Sequence, residues 1–335
     1  MPAIQLPSTM TYIEITQPGG PEVLQPRQGP LPVAQPYELL IKVHAAGVNR
    51  PDALQRAGQY PMQPGMNPLP GLEVAGEVVG LGADVQGFAL GDKVCALTNG
   101  GGYAEYCTVP ATQALAVPPG MDMITAAAIP ETFFTVWANL FDMAHLDATQ
   151  SVLIHGGTSG IGTTALALCK ALGIKAFATA GTAEKCAQVQ ALGGEPINYR
   201  EQDFAQVIAE RTAGKGVDVI LDIMGGAYFE QNIAALARRG RLVVIGFLGG
   251  AKVKEVNLLA IMAKQAVVTG SLLRSRSTEE KAVIAAGLER HVWPLLAEGK
   301  SLPVLDQVFA LADAVGAHRR MEGGDHIGKI VLQVV

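Results

Sequence analysis

The pattern of hydrophobic and polar positions divides the chain near Met123. Before that residue, short apolar runs are separated by segments rich in glycine and proline; the runs include "TYIEIT", "ELLIKVHAAG", "LEVAGEVVGLG", "DKVCAL" and "YAEYCTV". Short apolar runs bounded by such breakers are typical of strands. The pattern therefore predicts an irregular β domain over the first third of the chain.

After Met123 the pattern changes to helices and then to apolar strands that alternate with helical stretches. The strands are "SVLIHGG", "IKAFATAG", "VDVILDIMGG" and "RLVVIGFLGG". Alternation of strand and helix predicts an α/β fold with a doubly wound parallel sheet. The tail, "LPVLDQVFALADAVGAHRRMEGGDHIGKIVLQVV", has the pattern strand, helix, strand. The pattern alone leaves open whether this tail extends the α/β sheet or returns to the first domain.

Composition narrows the class of protein. A chain of 335 residues, 49% hydrophobic and 16% charged, can bury a large core, and its length favours two domains. The net charge is −5. Proteins that bind nucleic acids or membrane surfaces carry a basic surface, so this charge argues against both classes. No apolar run approaches the roughly 18 residues of a membrane span. Four cysteines without close pairing and no basic residue before Arg27 predict reduced thiols and a cytoplasmic protein. The nine residues before Met10 are expected to be a disordered leader, or Met10 is an alternative start.

The segment "SVLIHGGTSGIGTTALALCKALG", residues 151–173, carries a candidate cofactor site. An apolar strand runs into Gly156, Gly157, Gly160 and Gly162 and then into a helix of small residues, which is the context of a dinucleotide fingerprint. With Gly157 and Gly162 as the outer glycines, Ser159 stands at the middle position and departs from G-x-G-x-x-G. A serine there can donate a hydrogen bond to phosphate or ribose. A glycine-rich turn that merely ends a strand is the plainer alternative.

The end of the second strand of this region indicates which nucleotide binds. NAD-binding folds place an acidic residue there for the ribose 2′-hydroxyl, but "IKAFATA" is followed by Gly181 and Thr182, with Lys185 one helical turn later. Glu184 is expected on the following helix. A hydroxyl and an amine without an acid suit a 2′-phosphate, so the sequence predicts NADPH. A solvated surface charge is the plainer alternative for Lys185.

Several segments together resemble a known family. They are "AAGVNRPDALQRAGQYP", "PGLEVAGEVVGLG", "AAAIPETFFTVW", "LIHGGTSGIGTTALAL", "LDIMGG", "LLRSR" and "IGKIVL". The chain from about residue 10 to 335 resembles the zinc-independent, ζ-crystallin-like quinone oxidoreductases of the medium-chain dehydrogenase/reductase superfamily, nearest the damage-inducible NADPH quinone reductase branch. The resemblance implies a GroES-like β domain from residues 1–123 and 301–335, a Rossmann domain from residues 124–300, a cofactor cleft at their junction, and a homodimer. The resemblance also implies that the C-terminal tail belongs to the first domain rather than to the α/β sheet.

The resemblance also assigns roles to individual residues. The polar groups on the nicotinamide side, taken as catalytic, are Asn49, Asp52 and Tyr60. The cofactor-binding residues are Gly157, Ser159, Gly160, Gly162, Gly181, Thr182, Lys185, Tyr199, Phe247, Leu248 and Lys329. Among these, Tyr199 and Lys329 join Thr182 and Lys185 at the 2′-phosphate, and Phe247 and Leu248 line the nicotinamide pocket. Plainer alternatives are a half-buried core tyrosine at 199, a strand-edge charge at 329 and ordinary core residues at 247 and 248.

The segment "GVNRPDALQRAGQY" has two interpretations. In the first interpretation, its polar groups form a hydrogen-bonding set for the substrate; these groups are Asn49, Asp52 and Tyr60. In the second, Asn49 caps a helix that begins near Pro51, and Asp52 complements the helix dipole.

The resemblance further predicts that the protein holds no metal. Zinc-dependent members of the superfamily have a cysteine where this chain has Asn49 and a histidine where it has Leu72, together with four structural cysteines. Without a Lewis acid, alcohol oxidation is disfavoured, whereas an electron-poor quinone accepts hydride directly. The sequence therefore predicts a cytoplasmic NADPH:quinone oxidoreductase with small-molecule partners. Two alternatives stay open: a reductase of 2-enals, 2-enones or enoyl thioesters, and a nucleotide-binding protein with a structural or RNA-binding role.

Overall fold

The computed structural model describes residues 6–60, 62 and 66–334. Its strands are β1 (Thr9–Ile15), β2 (Leu24–Pro30), β3 (Glu38–Val48), β4 (Glu73–Leu81), β5 (Lys93–Leu97), β6 (Tyr106–Pro110), β7 (Ala114–Ala116), β8 (Ser151–Ile154), β9 (Lys175–Ala180), β10 (Glu195–Asn198), β11 (Val217–Asp222), β12 (Leu236–Val244), β13 (Val267–Gly270), β14 (Leu305–Ala310) and β15 (Lys329–Gln333). Its α-helices are α1 (Arg50–Arg56), α2 (Met123–Ala126), α3 (Pro130–Val136), α4 (Gly160–Ala171), α5 (Ala183–Ala191), α6 (Phe204–Arg211), α7 (Phe229–Ala235), α8 (Leu258–Lys264), α9 (Thr278–His291), α10 (Trp293–Ala297) and α11 (Ala314–Gly323). A π-helical segment, Trp137–Met143, follows α3.

The chain divides into two compact units. Unit 1 comprises Met1–Phe134, Arg274–Glu298 and Pro303–Val335, and unit 2 comprises Thr135–Leu273 and Gly299–Leu302. This division differs from the predicted boundaries at 123 and 301, because residues 124–134 and most of the stretch that contains α9 cluster with unit 1. Lys281 of α9, for example, donates to Asn99 Oδ1 at 2.6 Å. The expected leader lies partly outside the described residues, and β1 begins at Thr9.

Within its described residues, unit 1 is built on a seven-stranded sheet in the order β14-β15-β3-β4-β5-β7, with β6 also paired to β3. The β14–β15 pair is parallel, whereas β15 is antiparallel to β3, with Ile330 opposite Val48. The C-terminal strand thus lies in the sheet of unit 1. The core on this sheet includes Ile41, Val43 and Val74, all buried. Alternating apolar positions on β3 and β4 supply this packing.

The described part of unit 2 holds a six-stranded sheet in the order β10-β9-β8-β11-β12-β13, and all of its pairs are parallel. The chain order reverses beside β8, at the point where open α/β sheets bind ligands outside the carboxyl ends of their strands. The predicted α/β class with a doubly wound parallel sheet is confirmed. Over the residues that the structure describes, every helix is too short or too polar to cross a membrane.

Candidate cofactor site and active site

The turn between β8 and α4 has a shape that only glycine allows. Gly156 adopts a φ of +70°, in the left-handed region that favours glycine. A Cβ on Gly157 would lie 2.7 Å from Ala178 Cβ, and a Cβ on Gly162 would overlap the Gly156 carbonyl oxygen. The first turn of α4 therefore packs directly on the end of β8, as a dinucleotide fingerprint requires.

Ser159 explains the departure from that fingerprint. It occupies the N-cap of α4, and its Oγ accepts a hydrogen bond from Gly162 N at 3.0 Å. The hydroxyl proton stays available for donation. The amides of the first helical turn, which begins at Gly160, have no intrahelical acceptor. A capped helix start with exposed amide dipoles is a site for a phosphate group.

The carboxyl ends of β9 and β10 bring three predicted residues together. Thr182 caps α5 and accepts a hydrogen bond from Lys185 N at 3.2 Å. Tyr199 N donates to Ala180 O at 3.1 Å, and a Cβ on Gly181 would lie 2.7 Å from the Tyr199 hydroxyl. Tyr199 is 42% exposed, so it is not a core residue. The strand ends offer a hydroxyl, an amine and a phenol at one edge of the sheet.

Phe247 and Leu248 lie in the loop after β12, and both are exposed rather than part of the core. Leu248 N donates to Ile223 O at 3.0 Å, which holds this loop against the end of β11. Asp222 closes the neighbouring turn by accepting from Met224 N at 2.7 Å. Burial raises the pKa of the Asp222 carboxyl to about 6. Phe247 and Leu248 are thereby held at the carboxyl ends of the strands, as is the glycine turn after β8.

In unit 1, Asn49 belongs to a buried ionic network. Its Nδ2 donates to Glu73 Oε1 at 2.8 Å, and its Oδ1 accepts from Lys329 Nζ at 2.5 Å. The Lys329 ammonium also forms an ion pair with Glu73 Oε1 at 2.7 Å. Asn49 stands at the N-cap position of α1, so it combines the cap position with a place in the polar network.

Lys329, the predicted 2′-phosphate ligand of the tail, is engaged inside unit 1. Its third hydrogen bond goes to Val48 O at 3.2 Å, so all three N–H groups of the ammonium have acceptors inside unit 1. The residue is 3% exposed. Withdrawing this ammonium from Glu73 would leave a buried carboxylate without a counter-charge. Lys329 is therefore not a strand-edge surface charge, and its contact with a 2′-phosphate stays a prediction.

Asp52 is buried beneath the start of α1. Its carboxylate accepts from Asn49 N at 2.9 Å, Gly71 N at 2.9 Å and the Tyr103 hydroxyl at 3.2 Å. Burial raises the pKa of Asp52 to about 6, against the opposing effect of the two amide donors. Every contact of this side chain is internal, which makes Asp52 a residue that holds the segment in place.

A chain of hydrogen bonds continues from Asp52. Arg56 Nη1 lies 3.0 Å from His318 Nδ1, and His318 Nε2 lies 3.2 Å from the Tyr103 hydroxyl. A guanidinium can only donate, so Nδ1 accepts and Nε2 carries the hydrogen that is donated to Tyr103. Burial and the charge of Arg56 lower the pKa of His318 to about 3. The neutral imidazole is thereby fixed in one tautomer.

Tyr60 lies beside a buried cation. The Arg274 guanidinium lies over its ring, 5.2 Å from the ring centroid, and Arg274 Nη1 donates to Gln55 Oε1 at 2.7 Å. Burial raises the pKa of the Tyr60 phenol, and Arg274 opposes that rise. Burial lowers the pKa of Lys281 to about 8. Tyr60 is thus a protonated phenol at neutral pH, next to a positive charge.

Glu131 extends this polar cluster at the start of α3. Its backbone N donates to Glu73 Oε2 at 2.8 Å, which uses the second oxygen of the carboxylate that Lys329 neutralises. Burial, followed by the charge of Glu73, raises the pKa of the Glu131 carboxyl to about 8. At neutral pH this side chain is mostly a protonated acid.

Comparison with known proteins identifies the family. Residues 35–119 match the alcohol dehydrogenase GroES-like domain, and residues 160–287 match the zinc-binding dehydrogenase domain. Quinone oxidoreductase of Homo sapiens is 32% identical over 327 residues, which cover 96% of this chain and 97% of the human protein. The chain belongs to the medium-chain dehydrogenase/reductase superfamily. The predicted resemblance is confirmed, as are the GroES-like domain and the Rossmann sheet.

Solved structures of other superfamily members have the same fold. A mycobacterial protein in complex with NADPH is 31% identical, with a TM-score of 0.85 over 97% of this chain and 100% of that chain. The CurK enoyl reductase is 27% identical, with a TM-score of 0.83 over 98% of this chain and 99% of that chain. Membership in this superfamily makes the chain a pyridine-nucleotide-dependent oxidoreductase.

The positions that hold zinc in other members of the superfamily are occupied differently here. Asn49 is engaged with Glu73 and Lys329, and Leu72 is buried. Within the described ranges no group of three or more His, Cys, Asp or Glu side chains has the spacing to hold a metal ion. Zinc independence stays a prediction.

Sequence reasoning missed part of the polar cluster of this superfamily member. Glu73, Tyr103, Glu131, Arg274, Lys281 and His318 were not singled out as site residues. Arg274 falls in "LLRSR" and Glu131 in "AAAIPETFFTVW", two segments that contributed to the resemblance. Their charge inside otherwise apolar segments was the available signal. Tyr103 and His318 gave none, because their partners are far away in sequence.

Proposed function

We propose that the chain is an NADPH-dependent quinone oxidoreductase that delivers hydride to a quinone without a metal. The observation that carries this proposal is the donor set around Tyr60: a half-buried phenol under the Arg274 guanidinium, with Lys281 and Glu131 in the same cluster. Such a set stabilises negative charge that develops on a carbonyl oxygen. The quinone oxidoreductases among the relatives support the same class of substrate.

The residues present fit an NADPH molecule. The turn at Gly157 and the helix start capped by Ser159 suit the pyrophosphate. Thr182, Lys185 and Tyr199 supply donors for a 2′-phosphate, and Glu184, the acid nearest to them in sequence, lies in the first turn of α5. A reduced nicotinamide, when bound, supplies a hydride. The mycobacterial relative in complex with NADPH supports this choice of cofactor.

The residues of unit 1 have separate tasks in this proposal. The Tyr60 hydroxyl donates a hydrogen bond to the substrate oxygen, and the Arg274 guanidinium stabilises the charge that builds on that oxygen. Asn49, Glu73 and Lys329 keep the strand ends and α1 in a fixed arrangement through their buried hydrogen bonds. Asp52 serves the same purpose from beneath α1.

The decisive experiment is an assay of NADPH and NADH oxidation by the parent protein and by Lys185→Ala, over benzoquinones, naphthoquinones, enals, enones and a crotonyl thioester. We expect quinones to be the fastest acceptors and NADPH to bind more tightly than NADH. A desolvated phosphate contact is worth about 1.5–3 kcal/mol, so Lys185→Ala should weaken NADPH binding about tenfold or more and leave NADH binding unchanged. Lys215→Ala, which replaces an exposed lysine just before the amino end of β11, is the control.

Different failures of this assay overturn different parts of the proposal. Equal affinities for the two nucleotides would remove the NADPH assignment. Activity that is lost on dialysis against a chelator and restored by zinc would remove the metal-free assignment. A thioester or enone that is reduced faster than every quinone would favour the second candidate function, reduction of conjugated carbonyls, to which the similarity with the CurK enoyl reductase points.

The proposal includes a cytoplasmic homodimer. An apolar patch at one edge of unit 2, made by α8 and the edge strand β13, exposes Leu258, Leu259, Met262 and Val267. Exposed apolar side chains beside an unpaired sheet edge favour association, and an edge strand pairs readily with its own copy about a twofold axis. The four cysteines, which all lie in the described part of the chain, are unpaired thiols, as a reducing compartment requires.

A further inference from the structure

The Arg274 guanidinium is a buried cation that is held by neutral groups. It is 7% exposed, and within the described ranges it donates to three neutral oxygens: Gln55 Oε1 at 2.7 Å, Asn99 O at 3.1 Å and Asn67 O at 3.3 Å. Its Nε has no acceptor in the part of the chain that the structure describes. Buried arginines are normally paired with acids. This guanidinium therefore keeps a positive charge that no hydrogen-bonded carboxylate compensates.

Gln55 contributes a side chain to this set, whereas the other two acceptors are backbone carbonyls. It lies on α1 and is 9% exposed. Its Nε2 donates to Pro68 O at 2.7 Å. Because a carbonyl oxygen can only accept a hydrogen bond, this contact fixes the orientation of the amide and directs Oε1 to Arg274. The amide thus orients the guanidinium without adding a negative charge.

Neighbouring segments leave the guanidinium little freedom to move. Gly100 has a φ of +112°, in the left-handed region that favours glycine. A Cβ there would lie 3.1 Å from Arg274 Nη2 and 2.8 Å from Asn67 O. Lys281 Nζ holds the Arg274 backbone by donating to its carbonyl at 3.0 Å. The guanidinium is consequently fixed 5.2 Å from the centroid of the Tyr60 ring.

We propose that Gln55 is a positioning residue for quinone reduction: its neutral amide holds the Arg274 guanidinium at Tyr60 and leaves the positive charge to the substrate. This inference rests on the proposed function, in which Tyr60 and Arg274 stabilise the oxygen that becomes negative. Oxyanion stabilisation depends on charges and dipoles that are fixed before the reaction. A carboxylate at the position of the amide would form an ion pair with Arg274 and compensate that charge in advance. Gln55 itself exchanges neither a proton nor an electron.

Gln55→Glu tests this role because it keeps the size of the side chain and an acceptor for Arg274 but adds a negative charge. We expect kcat/KM to fall about a hundredfold for electron-rich, methyl-substituted benzoquinones, as after the loss of one oxyanion donor. For electron-poor, chlorinated benzoquinones, which disperse the developing charge themselves, we expect a loss of about tenfold or less. NADPH affinity should stay at the parent value.

Two further variants separate the charge effect from a loss of structure. Gln55→Met removes both hydrogen bonds without adding a charge, and it should give the same order of losses among the quinones with smaller values. Gln25→Glu is the matched control, because Gln25 is an exposed residue of unit 1 whose Nε2 also donates to a carbonyl, Glu22 O, at 2.7 Å; it should keep parent rates. An equal loss for every quinone in both Gln55 variants, as a smaller folded fraction gives, would overturn the positioning role and leave the quinone reductase intact.

Binding of 4-nitrophenol tests the same charge without turnover, since its phenolate resembles the charged oxygen of the product. The parent protein should bind the phenolate in preference to the phenol, as read from the visible absorption of the phenolate. Gln55→Glu should reduce this preference about tenfold or more, equivalent to at least one unit in the pKa of the bound ligand. An unchanged preference in Gln55→Glu would contradict the inference. A parent protein that shows the preference but reduces no quinone would overturn the proposed function and leave the charge effect of Gln55 on Arg274 standing.

Discussion

At the residue scale, the Lys329 ammonium and the Glu73 carboxylate neutralise each other inside unit 1, where side-chain exposures are 3% and 0%. Taking two charges out of water is unfavourable, and the loss is offset only when the pair is close and its remaining hydrogen bonds are made. Here Asn49 and Val48 O complete the bonds of the ammonium, and Glu131 N occupies the second carboxylate oxygen. The network is therefore stable only as a whole.

Lys329→Met should consequently destabilise the protein strongly. The thioether fills a similar volume but leaves the Glu73 carboxylate buried and unpaired, which is worth about 3–5 kcal/mol. Urea unfolding of the protein, followed by fluorescence, measures this loss. Arg27→Met removes the Arg27–Glu14 pair, whose side chains are 51% and 41% exposed, and should change stability by less than about 1 kcal/mol. Similar losses in the two variants would show that the Lys329 pair behaves like a surface pair.

The sequence could not predict this network, for a physical reason. Asn49, Glu73 and Lys329 meet because β15 pairs with β3 and β3 pairs with β4 in particular registers, with Ile330 opposite Val48 and Ala46 opposite Val74. A single sequence shows the alternation of apolar residues within each strand but not which strands pair. The resemblance singled out Asn49 and Lys329, but it did not show that both side chains contact Glu73.

At the scale of elements, the strength of the local pattern decided what could be predicted. The apolar runs correspond to β8, β9, β11 and β12, and the fingerprint lies between β8 and α4 as expected. The strands β10 and β13 were not singled out. Each has four residues, and β10 contains a proline, so neither shows a period that distinguishes a strand from a loop. Their place in the sheet comes from their neighbours.

The close approach of α4 to the end of β8 gives a prediction at this scale. Gly162→Ala places a methyl group on the Gly156 carbonyl oxygen, and both are backbone positions that cannot rotate away. We expect a loss of about 1–3 kcal/mol in stability and a fall in NADPH affinity on the order of tenfold. Gly323→Ala at the end of α11 meets no atom within 4 Å and is the matched control. Calorimetry and cofactor titration measure the two quantities, and parent-like values for Gly162→Ala would contradict the fingerprint assignment.

At the scale of the whole molecule, composition and pattern predicted two folding units and their classes. The boundaries of the two compact units differ from the predicted domain boundaries. The stretch Arg274–Glu298 clusters with unit 1, although the resemblance assigned residues 124–300 to the Rossmann domain. Hydrogen bonds join this stretch to unit 1: Arg274 donates to Gln55, and Lys281 donates to Asn99. Hydrogen bonds of this kind depend on three-dimensional partners, which local periodicity does not encode.

The proposed homodimer gives a prediction at this scale. Leu259 of α8 is 72% exposed, and Leu259→Glu places a charge in the apolar patch, where pairing with a second copy would bury it without a partner. Light scattering coupled to size-exclusion chromatography should show a dimer for the parent and a monomer for Leu259→Glu at the same concentration. Val33→Glu, at an exposed apolar residue of unit 1, should remain a dimer. A monomeric parent would refute the assignment of this patch.

The pairing of β15 with β3 also has a consequence for biosynthesis. All of unit 2, residues 135–273 and 299–302, lies between these two strands in the chain, so the ribosome delivers the whole of unit 2 before unit 1 has received its last strands. The hydrogen-bond chain through Asp52, Tyr103 and Arg56 is likewise incomplete until His318 of α11 has been synthesised. Contacts of such long sequence separation form late and slowly, whereas the sheet of unit 2 lies within residues 135–273 and can form as that segment emerges. During translation, the nascent protein therefore exposes residues 45–48 of β3, beyond the part that pairs with β6, until β15 pairs with them.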